Sequence, residues 1–226
     1  MWVSKGSTVD VDGSNLYYGL LRGTAYKWLD INALAKKLLL LEYRIDAIKY
    51  FASRVVDKTD GHLRSERQAR YFDALSAQGI QIFEGYYRVR VERLEAAERP
   101  CKSCGLLARP GYVRGIRTSE KLTDVNMATE LLKDAYENKA DAFVLISGDA
   151  DFAPALRVVR YSTEHSVIVF NPQSSICNEL RRYATFYKNI PAGFCDGCRL
   201  PDTIETSDGR TIRCPAAWMP GRTGDS

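Results

Sequence analysis

Four aspartates sit in short motifs at widely separated places in the chain. They are Asp12 in Val-Asp-Gly-Ser-Asn, Asp124 in Lys-Leu-Thr-Asp-Val, and the pair Asp149 and Asp151 in Ser-Gly-Asp-Ala-Asp-Phe. Two like charges at contact distance repel by roughly 4 kcal/mol at an effective dielectric of about 20, so such a cluster requires raised pKa values or a bound cation. Hard oxygen ligands favour Mg²⁺ or Mn²⁺. The sequence therefore predicts a divalent-metal site at which these four carboxylates meet.

The segments around the aspartates explain how they would meet. Apolar runs end at Asp12 and at Asp149, and each is followed by a helical pattern. Along most of the chain, strand patterns alternate with helix patterns, which predicts an α/β fold with a doubly wound, mainly parallel sheet. In such sheets, ligands bind beyond the carboxyl ends of the strands. We therefore expect both strand ends to contribute to one crevice.

The motifs resemble those of the NYN domain of the LabA/DUF88 group, a relative of the PIN-like nucleases. The matching segments are Asp12-Gly-Ser-Asn15, Lys121-Leu-Thr-Asp124-Val and Ser147-Gly-Asp-Ala-Asp-Phe-Ala-Pro154. The third is the most specific, and the resemblance covers roughly residues 7 to 190. It implies a PIN-like α/β fold and a metal-dependent ribonuclease that hydrolyses RNA, with the four aspartates at its catalytic site.

Three polar residues beside the aspartates are candidates for supporting roles. Asn15 is expected to hydrogen-bond a ligating carboxylate or a phosphate, or to cap the following helix. Ser147 could donate to water or phosphate, and Lys121 could bind the scissile phosphate as a point charge, although small residues and exposed lysines also occur in such places without these roles. Because no Ser-His or Cys-His constellation is present, hydrolysis is expected to use water activated by one or two metal ions.

The alternation of strands and helices breaks between residues 86 and 118, where arginine and tyrosine are dense. Guanidinium groups hold phosphates, and aromatic rings stack on unpaired bases. The residues expected to bind RNA in this insertion are Arg88, Arg90, Arg114 and Arg117. The alternative is a charged arm that only faces solvent.

The sequence contains 6 cysteines, and four of them form two Cys-x-x-Cys pairs, Cys101 with Cys104 and Cys195 with Cys198. Two such pairs can supply the four thiolates of a structural zinc site. One zinc would tie the insertion to the tail of residues 191–226 in a small subdomain beside a nuclease domain of residues 1–190. Redox pairs or buried free thiols are the alternatives. Free thiols are expected for Cys177 and Cys214, although Cys214 could substitute as a ligand.

Composition indicates an ordinary soluble globular protein. The chain has 226 residues, 45% of them hydrophobic, and a formal charge of +4, which is compatible with a polyanionic partner without establishing one. No apolar stretch approaches the roughly 20 residues of a membrane helix, and the amino terminus lacks the apolar core of a signal peptide. We therefore expect a cytoplasmic protein with no membrane partner. Nothing in the pattern indicates an oligomeric state.

Two other functions compete with the ribonuclease. The segment Val9-Asp10-Val-Asp12-Gly resembles the first motif of haloacid-dehalogenase-type phosphatases, with Asp10 as the nucleophile, although the apolar run before it is short. The other function is that of a non-catalytic RNA-binding adaptor, which would keep the acidic crevice but act through the cationic insertion.

Overall fold

A seven-stranded sheet forms the centre of the protein in the computed structural model, which describes residues 5–39, 43–57, 63–95 and 112–220. Its strands are β1 (Lys5–Asp12), β2 (Tyr43–Ser53), β3 (Gln81–Glu95), β4 (Tyr112–Lys121), β5 (Ala142–Ile146), β6 (Ser166–Asn171) and β7 (Phe186–Asn189). They lie in the order β4-β3-β2-β1-β5-β6-β7, and all neighbours are parallel except β3 and β4. The prediction of a doubly wound, mainly parallel α/β fold is confirmed.

Helices cover both faces of the sheet. They are α1 (Gly13–Leu16), α2 (Ile31–Leu39), α3 (Leu63–Ala77), α4 (Thr123–Tyr136), α5 (Ala153–Ser162) and α6 (Asn178–Tyr183). Side chains of α2 and α3 share one buried cluster with Val9 and Val11 of β1, whereas α4, α5 and α6 pack in a second cluster on the other face. Because side chains alternate along a strand, Asp10 and Asp12 point toward the α4 face. None of the helices in the described ranges is long and apolar enough to cross a membrane.

The segment predicted as an insertion continues the sheet. From Tyr86 onward, β3 leaves its parallel neighbour and pairs antiparallel with β4, from Tyr86 opposite Lys121 to Glu95 opposite Tyr112. Val89 and Val91 alternate with Arg88, Arg90 and Glu92, a period of two that is typical of a strand. The density of cations and tyrosines led instead to the interpretation of an insertion. Cys101 and Cys104 lie outside the described residues.

The described part of the tail packs on the α2 face of the sheet. Cys195 and Cys198 are buried in the same cluster as Trp28. The backbone N–H of Asp30 donates to the Cys198 carbonyl over 3.0 Å, and the Trp28 indole N–H donates to the Pro201 carbonyl over 2.9 Å. Two short strands, β8 (Thr203–Glu205) and β9 (Thr211–Arg213), form a separate hairpin beyond them. Zinc shared with Cys101 and Cys104 stays a prediction.

Candidate metal centre

Three carboxylates converge at the carboxyl end of the central strands. Asp149 and Asp151 follow β5, and Asp124 lies in the first turn of α4. Oxygen atoms of these three side chains lie within 4.8 Å of one another. Asp149 is half-buried, whereas Asp124 and Asp151 are exposed, so the cluster is open to solvent on one side. Hard oxygen donors in this arrangement can bind a divalent cation.

Asp12 lies deeper than these three residues and is only 4% exposed. Its Oδ1 accepts the backbone N–H of Asn15 and its Oδ2 accepts the hydroxyl of Ser147, each over 2.9 Å. The pKa of Asp12 is raised to about 7, mainly by burial; the two hydrogen bonds oppose this shift, and the charges of Asp124 and Asp149 add to it. Asp12 is thus coupled by charge to the three converging aspartates without belonging to that set of three.

Asn15 and Ser147 both contact protein atoms. The Oδ1 of Asn15 accepts the backbone N–H of Gly148 over 2.9 Å, and the Ser147 hydroxyl accepts the N–H of Asp149 over 3.1 Å while donating to Asp12. These bonds join the end of β1 to the loop after β5. Ser147 thus hydrogen-bonds an acidic side chain and Asn15 braces the loop, contacts that differ from the roles expected of them. The expected roles stay predictions.

The two aspartates of the third motif have different local partners. Asp149 precedes a 3-10 turn at Ala150–Phe152, and its Oδ1 accepts the N–H of Asp151 over 2.9 Å, which caps the turn. Helix α5 follows directly, with Pro154 in its first turn, where a missing N–H costs nothing. The turn holds both carboxylates at the strand end, and the exposed Asp151 is the one left without a capping role.

Glu120, at the end of β4, is a further carboxylate of this region that the sequence interpretation missed. Its two oxygens accept the hydroxyls of Ser14, over 3.1 Å, and Thr123, over 2.7 Å. Burial raises the pKa of Asp124, and the charges of Asp149, Glu120 and Asp151 raise it further. The sequence does show an acid directly before Lys121. The direction of the Glu120 side chain, however, could be inferred only if β4 had been recognised as a strand.

The crevice carboxylates have no protein cation of their own. In the described part of the chain, no lysine, arginine or histidine nitrogen lies within 4.0 Å of an oxygen of Asp12, Asp124, Asp149 or Asp151. Burial and, to a smaller extent, the charges of neighbouring acids raise the pKa values of Asp12 and Asp124. A divalent cation would offset the repulsion between these acids.

Asp10 belongs to a different cluster, below the crevice. It is 1% exposed and lies opposite Lys49 of β2. The Nζ of Lys49 is 2.7 Å from Glu130 and 2.6 Å from Asp134, both on α4. Burial raises the pKa of Asp10 to about 8, against the opposing effect of Lys49. Because Asp10 is enclosed, it offers no nucleophile to a ligand in the crevice, which argues against the alternative of a phosphatase with Asp10 as nucleophile.

The cationic residues of the hairpin divide between its two faces. Residues directly opposite one another in an antiparallel pair share a face. Register therefore puts Arg88, Arg90, Arg117 and Lys121 on one face, and Arg114 on the other, opposite Arg93. All of the predicted arginines are exposed, and the only ion pair among the four within the described hairpin is between Arg117 and Glu92, at 3.5 Å. One cationic face thus begins beside the residues that lead into α4.

Comparisons with known proteins agree on the fold. The sequence profile of the NYN domain matches residues 8–190. A relative from Pseudomonas putida, 6-hydroxy-3-succinoylpyridine 3-monooxygenase HspA, is 31% identical over 242 aligned residues, which cover 92% of this chain and 73% of that protein. The crystal structure of a protein of unknown function from Vibrio parahaemolyticus aligns with a TM-score of 0.51 at 17% identity, covering 84% of this chain and 97% of the other. That structure shares the fold.

Proposed function

Because this chain belongs to the NYN domain family, we propose that it is a metal-dependent ribonuclease that hydrolyses RNA phosphodiester bonds. The observation that carries the proposal is the convergence of Asp124, Asp149 and Asp151 within 4.8 Å, with no cation of the described residues beside them. All-carboxylate donors suit Mg²⁺ or Mn²⁺. RNA as the partner, and the cytoplasm as the location, are parts of the same proposal.

Each acidic residue then has a role. Asp124, Asp149 and Asp151 would hold the cation, which supplies positive charge where negative charge develops on the phosphate oxygens. Asp12, with a pKa of about 7, would be partly protonated near neutral pH in the cation-free crevice, and a bound cation would favour its ionised form. Asn15 and Ser147 position the strand end and the loop after β5.

Cations along the hairpin would hold the RNA backbone. Arg88, Arg90 and Arg117 lie on the same face as Lys121, three residues before Asp124. We assign phosphate contacts to this face. Arg114 lies on the opposite face, so we assign it a contact with a different segment of the RNA.

Structural zinc remains a proposal for Cys101, Cys104, Cys195 and Cys198, as does the division into an NYN domain of residues 1–190 and a tail of residues 191–226. The family match ends at residue 190, which supports the boundary. Burial raises the pKa of the Cys195 thiol to about 11, so zinc would have to displace its proton. Elemental analysis that finds no stoichiometric zinc in the purified protein would remove the site.

A cleavage assay tests the ribonuclease. Purified protein is incubated with single-stranded and hairpin RNA in Mg²⁺ or Mn²⁺, beside Asp149→Asn and a matched control, Glu137→Gln, which changes an exposed acid at the end of α4. We expect cleavage by the wild type and the control, and none by Asp149→Asn or in the presence of a chelator. RNA binding without any cleavage would favour the adaptor, and wild-type cleavage by Asp149→Asn would refute the site.

The monooxygenase named as a relative makes ring hydroxylation a second candidate, since the identity of 31% spans 92% of this chain. The donors in the crevice favour hydrolysis, because non-haem iron oxygenases use two histidines and one carboxylate. His165, the histidine in the described ranges, lies before β6, bonded to the Ala135 carbonyl over 3.0 Å. Oxygen uptake on addition of 6-hydroxy-3-succinoylpyridine and a reductant would support this candidate over the ribonuclease.

A further inference from the structure

A cleft with a volume of about 460 Å³ lies between α5 and α6, beside the turn that carries Asp151. Its lining includes Ala153 and Pro154, the first residues of α5, which follow Asp151 after a single intervening residue. Helix α6 also packs against the turn at Ala150–Phe152. The volume falls within the roughly 300 to 1,000 Å³ of small-ligand sites. The cleft therefore adjoins the acidic crevice and is large enough for a ligand of its own.

The cleft is positively charged, in contrast to the crevice. Arg157 of α5 and Arg182 of α6 line it from opposite sides, and both are exposed. Neither has a carboxylate within 4.0 Å in the part of the chain that the structure describes. The one acid of the lining, Glu179, lies 3.6 Å from the Cys177 thiol, which donates to it. Within the described residues these two guanidinium groups lack an ion-pair partner, although that of Arg182 lies over the Tyr183 ring, 5.6 Å from its centroid. Together they fit an anion such as phosphate.

The rest of the lining suits a nucleobase. Tyr183 is half-buried and meets Tyr161 edge to face, with ring centroids 6.2 Å apart. Aromatic side chains of this kind stack on unpaired bases regardless of sequence. The lining also contains the amide of Asn178 and the carboxylate of Glu179. Both groups can hydrogen-bond the edges of a base.

We propose that this cleft binds one nucleotide of single-stranded RNA adjacent to the phosphate that is hydrolysed. Arg157 and Arg182 contact its phosphate, and Tyr183 packs against its base. The assignment rests on the proposed function, because the acidic crevice defines where the scissile phosphate lies. In the sheet, β3 and β4 lie on one side of β1 and β5, and β6 with α6 on the other. The RNA strand would then cross the acidic crevice between two cationic surfaces.

A pair of double variants tests the cleft. Arg157→Gln with Arg182→Gln removes both lining cations, and Arg160→Gln with Arg181→Gln removes two exposed arginines of the same helices that do not line the cleft. Binding of a fluorescent single-stranded RNA hexamer is measured by anisotropy across salt concentrations, on an Asp149→Asn background so that no cleavage intervenes. Each lost phosphate contact should lower the slope of log affinity against log salt by about 0.7.

We expect the cleft variant to lose about 1.4 from that slope and about tenfold in affinity, with the control variant near the parent. In the cleavage-competent background, the cleft variant should raise KM more than it lowers kcat. Tyr183→Leu should weaken binding without changing the salt slope. If the cleft and control variants bind RNA equally, the cleft assignment is wrong even where cleavage is observed. If the wild type does not cleave RNA but the cleft variant alone loses affinity, the ribonuclease fails and the nucleotide cleft stands.

Discussion

Two acidic clusters share the strand β1 and the helix α4, yet within the described ranges only one of them contains a basic residue. The inner one joins Asp10, Glu130 and Asp134 to Lys49, with contacts of 2.7 and 2.6 Å from its Nζ to the two acids of α4. The outer one, at the crevice, joins Asp12 to Asp124, Asp149 and Asp151 with no lysine or arginine within 4.0 Å in the described ranges. The difference supports a structural role for the inner cluster and the proposal of a cation site at the outer cluster.

The pKa shifts express the same contrast. Burial alone would lower the pKa of Lys49, but its hydrogen bonds to Asp134 and Glu130 outweigh burial and leave the pKa raised. The ammonium group therefore stays charged inside the protein. At the crevice, burial and mutual repulsion raise the pKa values of Asp12 and Asp124, as burial raises that of Asp10 in the inner cluster, but the crevice acids within the described ranges have no lysine or arginine to oppose the shift.

The largest predicted effect concerns the inner cluster. Lys49→Met leaves the buried carboxylates without their cation, which typically costs about 3 to 5 kcal/mol. Lys133→Met is the control, because Lys133 is 53% exposed and lies 3.6 Å from Glu130, and such pairs contribute about 0 to 1 kcal/mol. Urea unfolding at pH 7 measures both. Equal losses in the two variants would contradict a structural role for Lys49.

The next effect concerns metal at the crevice. Mn²⁺ at a hundredfold excess over its dissociation constant should raise the free energy of unfolding by about 2.7 kcal/mol. In Asp149→Asn the same concentration should add little, because one of the three converging ligands is lost. Thermal or urea unfolding with and without Mn²⁺ provides the measurement. Equal stabilisation of both proteins would move the metal away from the crevice.

The pH dependence of the free energy of unfolding distinguishes the two clusters further. The folded pKa of Asp12, about 7, exceeds its ordinary value of 3.8. A group of this kind contributes stability that is fully present below its unfolded pKa and is lost as pH rises through its folded pKa. Cation-free protein should therefore lose stability between about pH 4 and 7, by on the order of 1 kcal/mol or more, and Asp12→Asn should lose less. Asp10, with a pKa of about 8, would prolong the decline in both proteins.

The smallest predicted effect is on RNA binding and concerns the cationic side chains around each cluster. Arg88→Gln with Arg90→Gln, on the hairpin face beside the crevice, should lower the salt slope of RNA binding by about 1.4. Lys133→Gln with Lys139→Gln changes two exposed lysines near the other end of α4, beside the inner cluster. This variant should leave the salt slope of RNA binding unchanged, because the inner cluster is closed to ligands. An unchanged slope in the hairpin variant would reassign those arginines to solvent.

Sequence patterns predicted which residues lie at the crevice better than they predicted the structure that surrounds it. Asp12 and Asp149 were predictable because each ends an apolar strand, and chain order then fixes them at neighbouring carboxyl ends. Asp124 does not end a strand; it was included as the acid of a separate motif, and the family resemblance supported that choice. Glu120 and the separate face of Arg114 could not be foreseen, since both depend on the pairing register of β3 with β4. A register shift of one residue would reverse every side chain.

The edges of the fold were also less predictable than its centre. Strand β7 (Phe186–Asn189) is short and lies at the sheet edge, so it lacks the long apolar run of β5. The partnership of Lys49 with two acids of α4 is a long-range contact that no local pattern encodes. Tertiary pairing, rather than local propensity, decides such elements.

Direct titration with Mn²⁺, followed by electron paramagnetic resonance of the free ion, tests the central claim that the crevice cluster is a divalent-metal site. The wild type and Glu137→Gln should bind Mn²⁺ stoichiometrically at pH 8, and Asp149→Asn should bind at least about tenfold more weakly, because removal of one carboxylate takes away both a ligand and a charge. Affinity in the wild type should fall as pH is lowered through about 7, where Asp12 takes up its proton. Equal binding by Asp149→Asn, or no binding by the wild type, would contradict the account.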